Sequence, residues 1–284
     1  MRHNILLPTD FSKNSIKAIN YARELYKNDS CNFYILHVYS ATTNILDSLL
    51  NIEPGSELYE TAKSNSENGL AKVYDYITLS DNENPKHHFD VISIFNNVIE
   101  AVKQVVEQKD IEMIVMGTKG ETLSGLKAFG STAVSIMEKV RNCPVIVVPQ
   151  NAKTVVPKEI VFPTSYKTPY KRRELSFLTD IAKNCDATII VLHIEEKNEL
   201  DKHQKENKAL LENILKGTHF KFYNLSHHSV LRAVNLFVES RSSDMIAFIN
   251  KKHTFFGSIF TNAMVKEISF YSRVPILTMH DLRN

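Results

Sequence analysis

The chain has 284 residues, 43% hydrophobic and 23% charged, which suits two ordinary globular domains of roughly 140 residues each with buried cores. Its 34 basic and 32 acidic side chains are interspersed and nearly cancel to +2, so neither nucleic acid nor an anionic membrane is the default partner. The three cysteines, Cys31, Cys143 and Cys185, show no C-x-x-C or metal-ligand spacing, which favours buried thiols in a reducing compartment.

Asn4 to Pro8 (NILLP) is a short continuous apolar run, the pattern of a strand buried on both faces of a parallel sheet. It reads as a strand and not as a signal peptide, and no segment approaches a membrane span in length, so a cytoplasmic protein is expected. Thr9-Asp10-Phe11-Ser12 then supplies turn and N-cap residues. Ile16, Ile19, Ala22 and Leu25 or Tyr26 recur at helical spacing after it, and Phe33 to Val38 forms a second buried strand. Pro54-Gly55 breaks the polar stretch that follows, before a helix marked by Leu58, Ala62, Leu70, Val73 and Ile77. His87 to Phe95 is a third strand, Asn97 starts an amphipathic helix, and Ile111 to Met116 is a fourth strand. Gly130 to Val140 is the next helix and Pro144 to Val148 a fifth strand. Strands alternating with helices predict an α/β fold with a parallel sheet and right-handed crossovers.

After a polar linker near Gln150 to Pro157 the order begins again. EIVFPTSYK from Glu159 repeats NILLPTDFS, and IVLHI from Ile190 repeats YILHV with its histidine. Met245 to Phe248 matches Met113 to Met116, and the late VPILTM matches CPVIVVP. So long a period means a duplicated domain, with boundaries at 1–150 and 151–284, and the two copies are expected to pack as a pseudo-symmetric pair.

The segment Ile114 to Ser131 carries the chemistry. An apolar strand breaks at Gly117 and Gly120, and Gly130-Ser131 precedes a helix, which together describe a seat for phosphate on backbone N–H groups. In sum the chain resembles the universal stress protein family in its tandem form. The resemblance rests on N-I-L-L-P-T-D-F-S, L-H-V, I-V-M-G-T-K-G, the ungapped loop Gly117-x2-Gly120-x9-Gly130-Ser131 and C-P-V-I-V-V-P. It implies a Rossmann-like α/β fold of the adenine nucleotide alpha hydrolase type, with two repeated five-stranded parallel sheets of order 3-2-1-4-5. The topological switch point then falls at the ends of the first and fourth strands, where Asp10 and Gly117 stand.

The resemblance further implies an ATP site. Adenine would lie near Pro8, Thr9 and Val38, Gly117 would let the backbone approach ribose or phosphate, and Met116 before it would also border the nucleotide. Gly120 would supply a turn, and Gly130, Ser131 and Thr132 would donate to phosphate at a helix N-terminus. Asp10 would take a hydrogen bond from the adenosine part or hold Mg²⁺ through water, while Lys119 and Lys127 flank the loop. Asp10 also suits a plain helix cap. The second copy departs from this signature, with Ser165 in the place of Asp10, Ile249 and Lys252 for Gly117 and Gly120, and Thr261-Asn262 for Gly130-Ser131. One site per chain, in the first half, is therefore expected.

His37 and His193 read as packed strand histidines, and His87-His88 and His227-His228 lack the companions of a metal site. The partners implied are an adenine nucleotide and an unknown regulatory protein, with the two domains paired within the chain and a homodimer as a further option. No catalytic base or arginine finger is identifiable, so hydrolysis is at most slow. The competing function is an adaptor built on the same paired domains without nucleotide. A ligase or nucleotidyltransferase would carry S-G-G-x-D-S or H-x-G-H near the first strand, where this chain has P-T-D-F-S.

Overall fold

The computed structural model describes residues 2–39, 54–79, 84–118, 130–194, 199–227, 229–250 and 272–281. The first half contains β1 (Arg2–Pro8), α1 (Lys13–Leu25), β2 (Ser30–Tyr39), α2 (Glu57–Thr78), β3 (His87–Phe95), α3 (Val98–Gln108), β4 (Met113–Gly117), α4 (Ser131–Lys139) and β5 (Val145–Val148). The second contains β6 (Glu159–Thr164), α5 (Arg172–Asn184), β7 (Thr188–Ile194), α6 (Lys202–Leu215), β8 (His219–Leu225), α7 (Val230–Arg241), β9 (Met245–Asn250) and β10 (Ile276–His280).

All the strands join one ten-stranded sheet in the order β3-β2-β1-β4-β5-β10-β9-β6-β7-β8. Each half is a parallel array of order 3-2-1-4-5. The halves meet at an antiparallel seam, with Ile276, Leu277 and Thr278 opposite Val147, Ile146 and Val145. The repeat holds at the level of register: Ile5 pairs with Met113 between β1 and β4, and Ile160 with Met245 between β6 and β9.

The apolar runs are continuous because both sheet faces are covered. Ile5 and Leu7 join a core with Ala18 and Ile19 of α1, Leu70 of α2, Leu178 of α5 and Leu211 of α6. Leu6 points the other way, into a core with Val102 of α3, Val134 of α4 and Val234 of α7. The three expected buried thiols are buried and unpaired. Leu58 does not belong to the core stripe of α2: it is 49% exposed, whereas Leu70, Val73 and Ile77 are buried. Helical phase explains the difference, since Tyr59, one position later, turns inward against the rings of Tyr39 and Phe95. Among the described residues no helix is long and apolar enough to cross a membrane.

Candidate functional site

A cleft of about 420 Å³ opens where the C-terminal ends of β1, β2 and β4 face the N-termini of α3 and α4. Pro8, Thr9 and Asp10 border it from β1, Val38 from β2, and Met116 and Gly117 from β4. Gly130, Ser131 and Thr132 close it from α4. Nine of the ten expected residues thus converge on one cavity; Gly120, with Lys119 and Lys127, lies outside the described residues. Sequence reading did not place Leu36, Val98 and Ile136, which supply apolar wall, or Thr118 at the site, and it took His37, which also lines the cleft, for a packed strand histidine. Val98 and Ile136 fit the apolar stripes of their helices, and only the fold shows that those stripes end at a cavity.

The turn between β1 and α1 is held by its own side chains. Phe11 adopts a left-handed conformation, with φ 66°, and its N–H donates to Thr9 Oγ1 at 3.0 Å. The Ser12 N–H donates to Asp10 Oδ1 at 3.1 Å, and Ser12 Oγ in turn caps α1 by accepting from the Ser15 N–H. Asp10 is therefore not the N-cap. It shapes the loop before the cap, and its exposed side chain stays on the cleft.

Gly117 is fixed by close approach. A Cβ there would lie 2.8 Å from Asn14 Nδ2 and 3.0 Å from the Asn14 carbonyl carbon and oxygen, so α1 leaves no room for a side chain. Asn14 Nδ2 donates to Thr118 Oγ1 at 3.1 Å and ties α1 to the end of β4. Helices α1, α2, α3, α6 and α7 carry side-chain N-caps, whereas α4 begins at Gly130 with none. Its first-turn N–H groups border the cleft with the positive end of the helix dipole behind them.

His37 reaches the cleft from the α2 side of the sheet. Its ring stacks on Phe11 at 4.2 Å, and Nδ1 shares a 2.7 Å hydrogen bond with Ser66 Oγ, itself 2.7 Å from Ser93 Oγ. Burial lowers the His37 pKa, opposed by the Asp10 carboxylate, so the imidazole is neutral at neutral pH. Asp10 is the one acidic side chain among the described lining residues, and no lysine or arginine is among them. The site can therefore grip an anion through backbone dipoles, present a carboxylate to a hydroxyl or a hydrated cation, and pack an apolar ring system against Val38, Val98 and Ile136.

A larger groove of about 600 Å³ runs along α6 beside Glu199, Lys205, Lys208 and Glu212. It is wide open, and its acidic and basic groups balance, so no common chemistry converges there. Among the described residues no group of His, Cys, Asp and Glu side chains is arranged to hold a metal ion.

The model of the universal stress protein family matches residues 1–149. The chain belongs to this family. Solved universal stress proteins share the whole architecture: one from Archaeoglobus fulgidus DSM 4304 superposes with a TM-score of 0.69 at 17% identity, over 97% of this chain and 95% of that one. A putative universal stress protein from Pseudomonas aeruginosa UCBPP-PA14 gives 0.61 at 10% identity, over 98% and 93%. The cytoplasmic domain of a prokaryotic cation chloride cotransporter gives 0.54 at 8% identity, over 98% and 95%, so the paired-sheet fold also recurs inside a larger protein. No curated protein matches the sequence significantly.

In the second half of this universal stress protein, Ser165 and Ile249 stand at the strand ends that correspond to Asp10 and Gly117. Lys252, Thr261, Asn262 and His228 lie outside the described residues.

Proposed function

We propose that the first-half cleft binds ATP, one nucleotide per chain, and that occupancy regulates partner choice in a cytoplasmic stress response. The domains are 1–150, which carries the site, and 151–284, which lacks it. The observation that carries this reading is the start of α4, a helix without a side-chain cap whose first turn borders a cavity beside an exposed carboxylate. Phosphate oxygens would receive the N–H groups of Ser131 and Thr132 and the hydroxyls of both residues. Asp10 would accept from the adenosine part or hold a hydrated Mg²⁺ that accompanies the phosphates, since a bare carboxylate repels them. Adenine would lie against Val38 and Val98.

Two measurements test the reading. Denatured protein is assayed for released nucleotide, and ATP is titrated against wild type and Gly130→Asp. The substitution sets a carboxylate at the phosphate seat and should abolish binding while leaving the unfolding transition cooperative. Wild type that binds no adenine nucleotide up to millimolar concentration overturns it in favour of an adaptor.

A further inference from the structure

We infer that the second half of the chain positions the first half's phosphate seat by gripping the far end of α4. The inference rests on the reading of the cleft as an anion site. Helix α4 has nine residues and spans about 13 Å. Both its ends are held by the same structural position, taken once from each copy of the repeat.

At the cleft end, the Gly130 N–H donates to the Thr118 carbonyl, just past β4, at 2.5 Å. At the far end, Asn250, the last residue of β9, donates from Nδ2 to the Met137 carbonyl at 3.1 Å. The shared register of the two copies makes Thr118 and Asn250 equivalent, each five residues after the methionine that pairs with the first strand of its half. Arg141, two residues past α4, completes the grip by donating from Nη2 to the Asn250 carbonyl at 2.8 Å and to the Asp281 carboxylate.

The grip is buried. Asn250 is 1% exposed and Met137 fully covered, so no water is at hand to replace the bond to that helix-end carbonyl. The lever is short enough to matter. A tilt of about 5° at the Asn250 end moves the first turn of α4 by about 1 Å, and a hydrogen bond does not survive that displacement at good geometry. In the first copy the residue at this position serves its own half, and in the second it serves the neighbour. This explains why a copy whose cleft residues have diverged still carries a buried amide at the end of its fourth strand. Asn250 and Arg141 are positioning residues and touch no ligand.

The test is Asn250→Leu, which keeps the branched outline, removes the donor and also removes the amide oxygen, a buried acceptor without a partner among the described residues. Hydrogen exchange of the ligand-free full chain should quicken in residues 131–139 and stay unchanged in α1. ATP affinity should fall about fivefold, the scale of a modest coupling between sites, while adenosine affinity holds, because the tilt displaces the phosphate-facing first turn and leaves Ile136, beside the pivot at Met137, nearly in place. Arg141→Gln attacks the same grip from the first half and serves if the leucine variant folds poorly. Unchanged exchange in α4, or equal weakening of ATP and adenosine, overturns the inference. Wild type that binds no ATP, with α4 exchange still responsive, overturns the nucleotide reading and supports the mechanical link.

Discussion

The turn after β1 and the turn after β6 are two versions of one device, and their difference separates what the fold requires from what the cleft adds. In both, a threonine hydroxyl accepts the N–H two residues on, Phe11 at 3.0 Å and Tyr166 at 3.1 Å. In both, that aromatic residue is left-handed, with φ 66° and 58°, and lies against a strand histidine, with ring centroids 4.2 and 4.9 Å apart. The next side chain also does the same work: Asp10 accepts from the Ser12 N–H and Ser165 from the Lys167 N–H. The fold therefore asks only for a short acceptor at this position, and a carboxylate is more than it asks for.

Beyond the turn the copies part. Helix α1 starts at Lys13, whereas α5 starts at Arg172, later in its half by about one helical turn. That turn is the part of α1 whose Asn14 backbone presses on Gly117. The second half, without it, has space for Ile249. Under α2, Gly69 faces the Phe11 ring and Ser66 bonds His37. Helix α6 instead ties down its turn by donating from Gln204 to the Ser165 carbonyl and from Asn207 to the Tyr166 carbonyl.

Gly117→Ile, which imports the second-half residue, should have the largest effect. Its Cβ would meet the Asn14 backbone, which has no side-chain freedom to yield, so α1 must shift. A loss of about 3 kcal/mol in stability, by denaturant melt, and of all measurable ATP binding is expected. Near-native stability would show that the late start of α5 and Ile249 are unrelated.

The seam supplies the next contrast, because β10 carries Thr278 and His280 where the end of the first half has Val147 and Pro149. Burial, and then the facing Arg141 charge, lower the His280 pKa to about 4, against the opposing pull of Asp281. A histidine depressed in the fold binds its proton mainly in the unfolded chain. Stability is therefore complete above pH 6.5 and drains as pH falls toward 4, by roughly 2–3 kcal/mol over that window. Burial of His37 and His87 lowers their pKa in the same direction. His280→Leu should flatten this limb in melts between pH 7 and pH 4; an unchanged slope would assign the limb to the first-half histidines.

Gly69→Ala should act on the cleft more than on the fold. The added Cβ would fall 2.4 Å from the Phe11 ring, which has to shift and so disturbs its stack on His37. The alanine gains about 1 kcal/mol of helix propensity, which offsets most of the strain, so the melting temperature barely changes. ATP affinity should nonetheless fall severalfold, since Phe11 sets the turn that carries Asp10. Titration calorimetry beside a melt distinguishes the two effects.

Much of this organisation was legible in the chain. Apolar runs, the T-D-F-S and T-S-Y-K turns and the doubled L-H motif mark the strands and the repeat, the family resemblance implies the strand order, and that order brings Asp10, Gly117 and Gly130 to one cleft. The remainder depended on distances that a pattern does not encode. The phase of α2 decides that Ser66 meets His37 and Gly69 the Phe11 ring while Leu58 faces out, and the long polar sequence before the helix conceals that phase. The contact of Asn250 with Met137 spans 113 residues and joins two copies, and within its own half Asn250 is merely a polar strand end.

Asp10→Ser has the smallest expected effect on the fold and divides the two readings of this residue most cleanly. Ser165 already shows that a serine hydroxyl takes the turn N–H in this setting, at 3.3 Å. The variant should therefore keep its stability within about 0.5 kcal/mol, as an exposed position whose local bond is replaced in kind. If Asp10 only shapes the turn, ATP binding with and without Mg²⁺ is unaffected as well. If its carboxylate faces the nucleotide through a hydrated cation, ATP affinity in Mg²⁺ falls by about tenfold, the worth of one charge-assisted contact, and the gap between Mg²⁺ and EDTA titrations closes. A variant with unchanged stability and a lost metal dependence assigns the carboxylate to the ligand, because everything the fold asked of position 10 is still supplied by the serine.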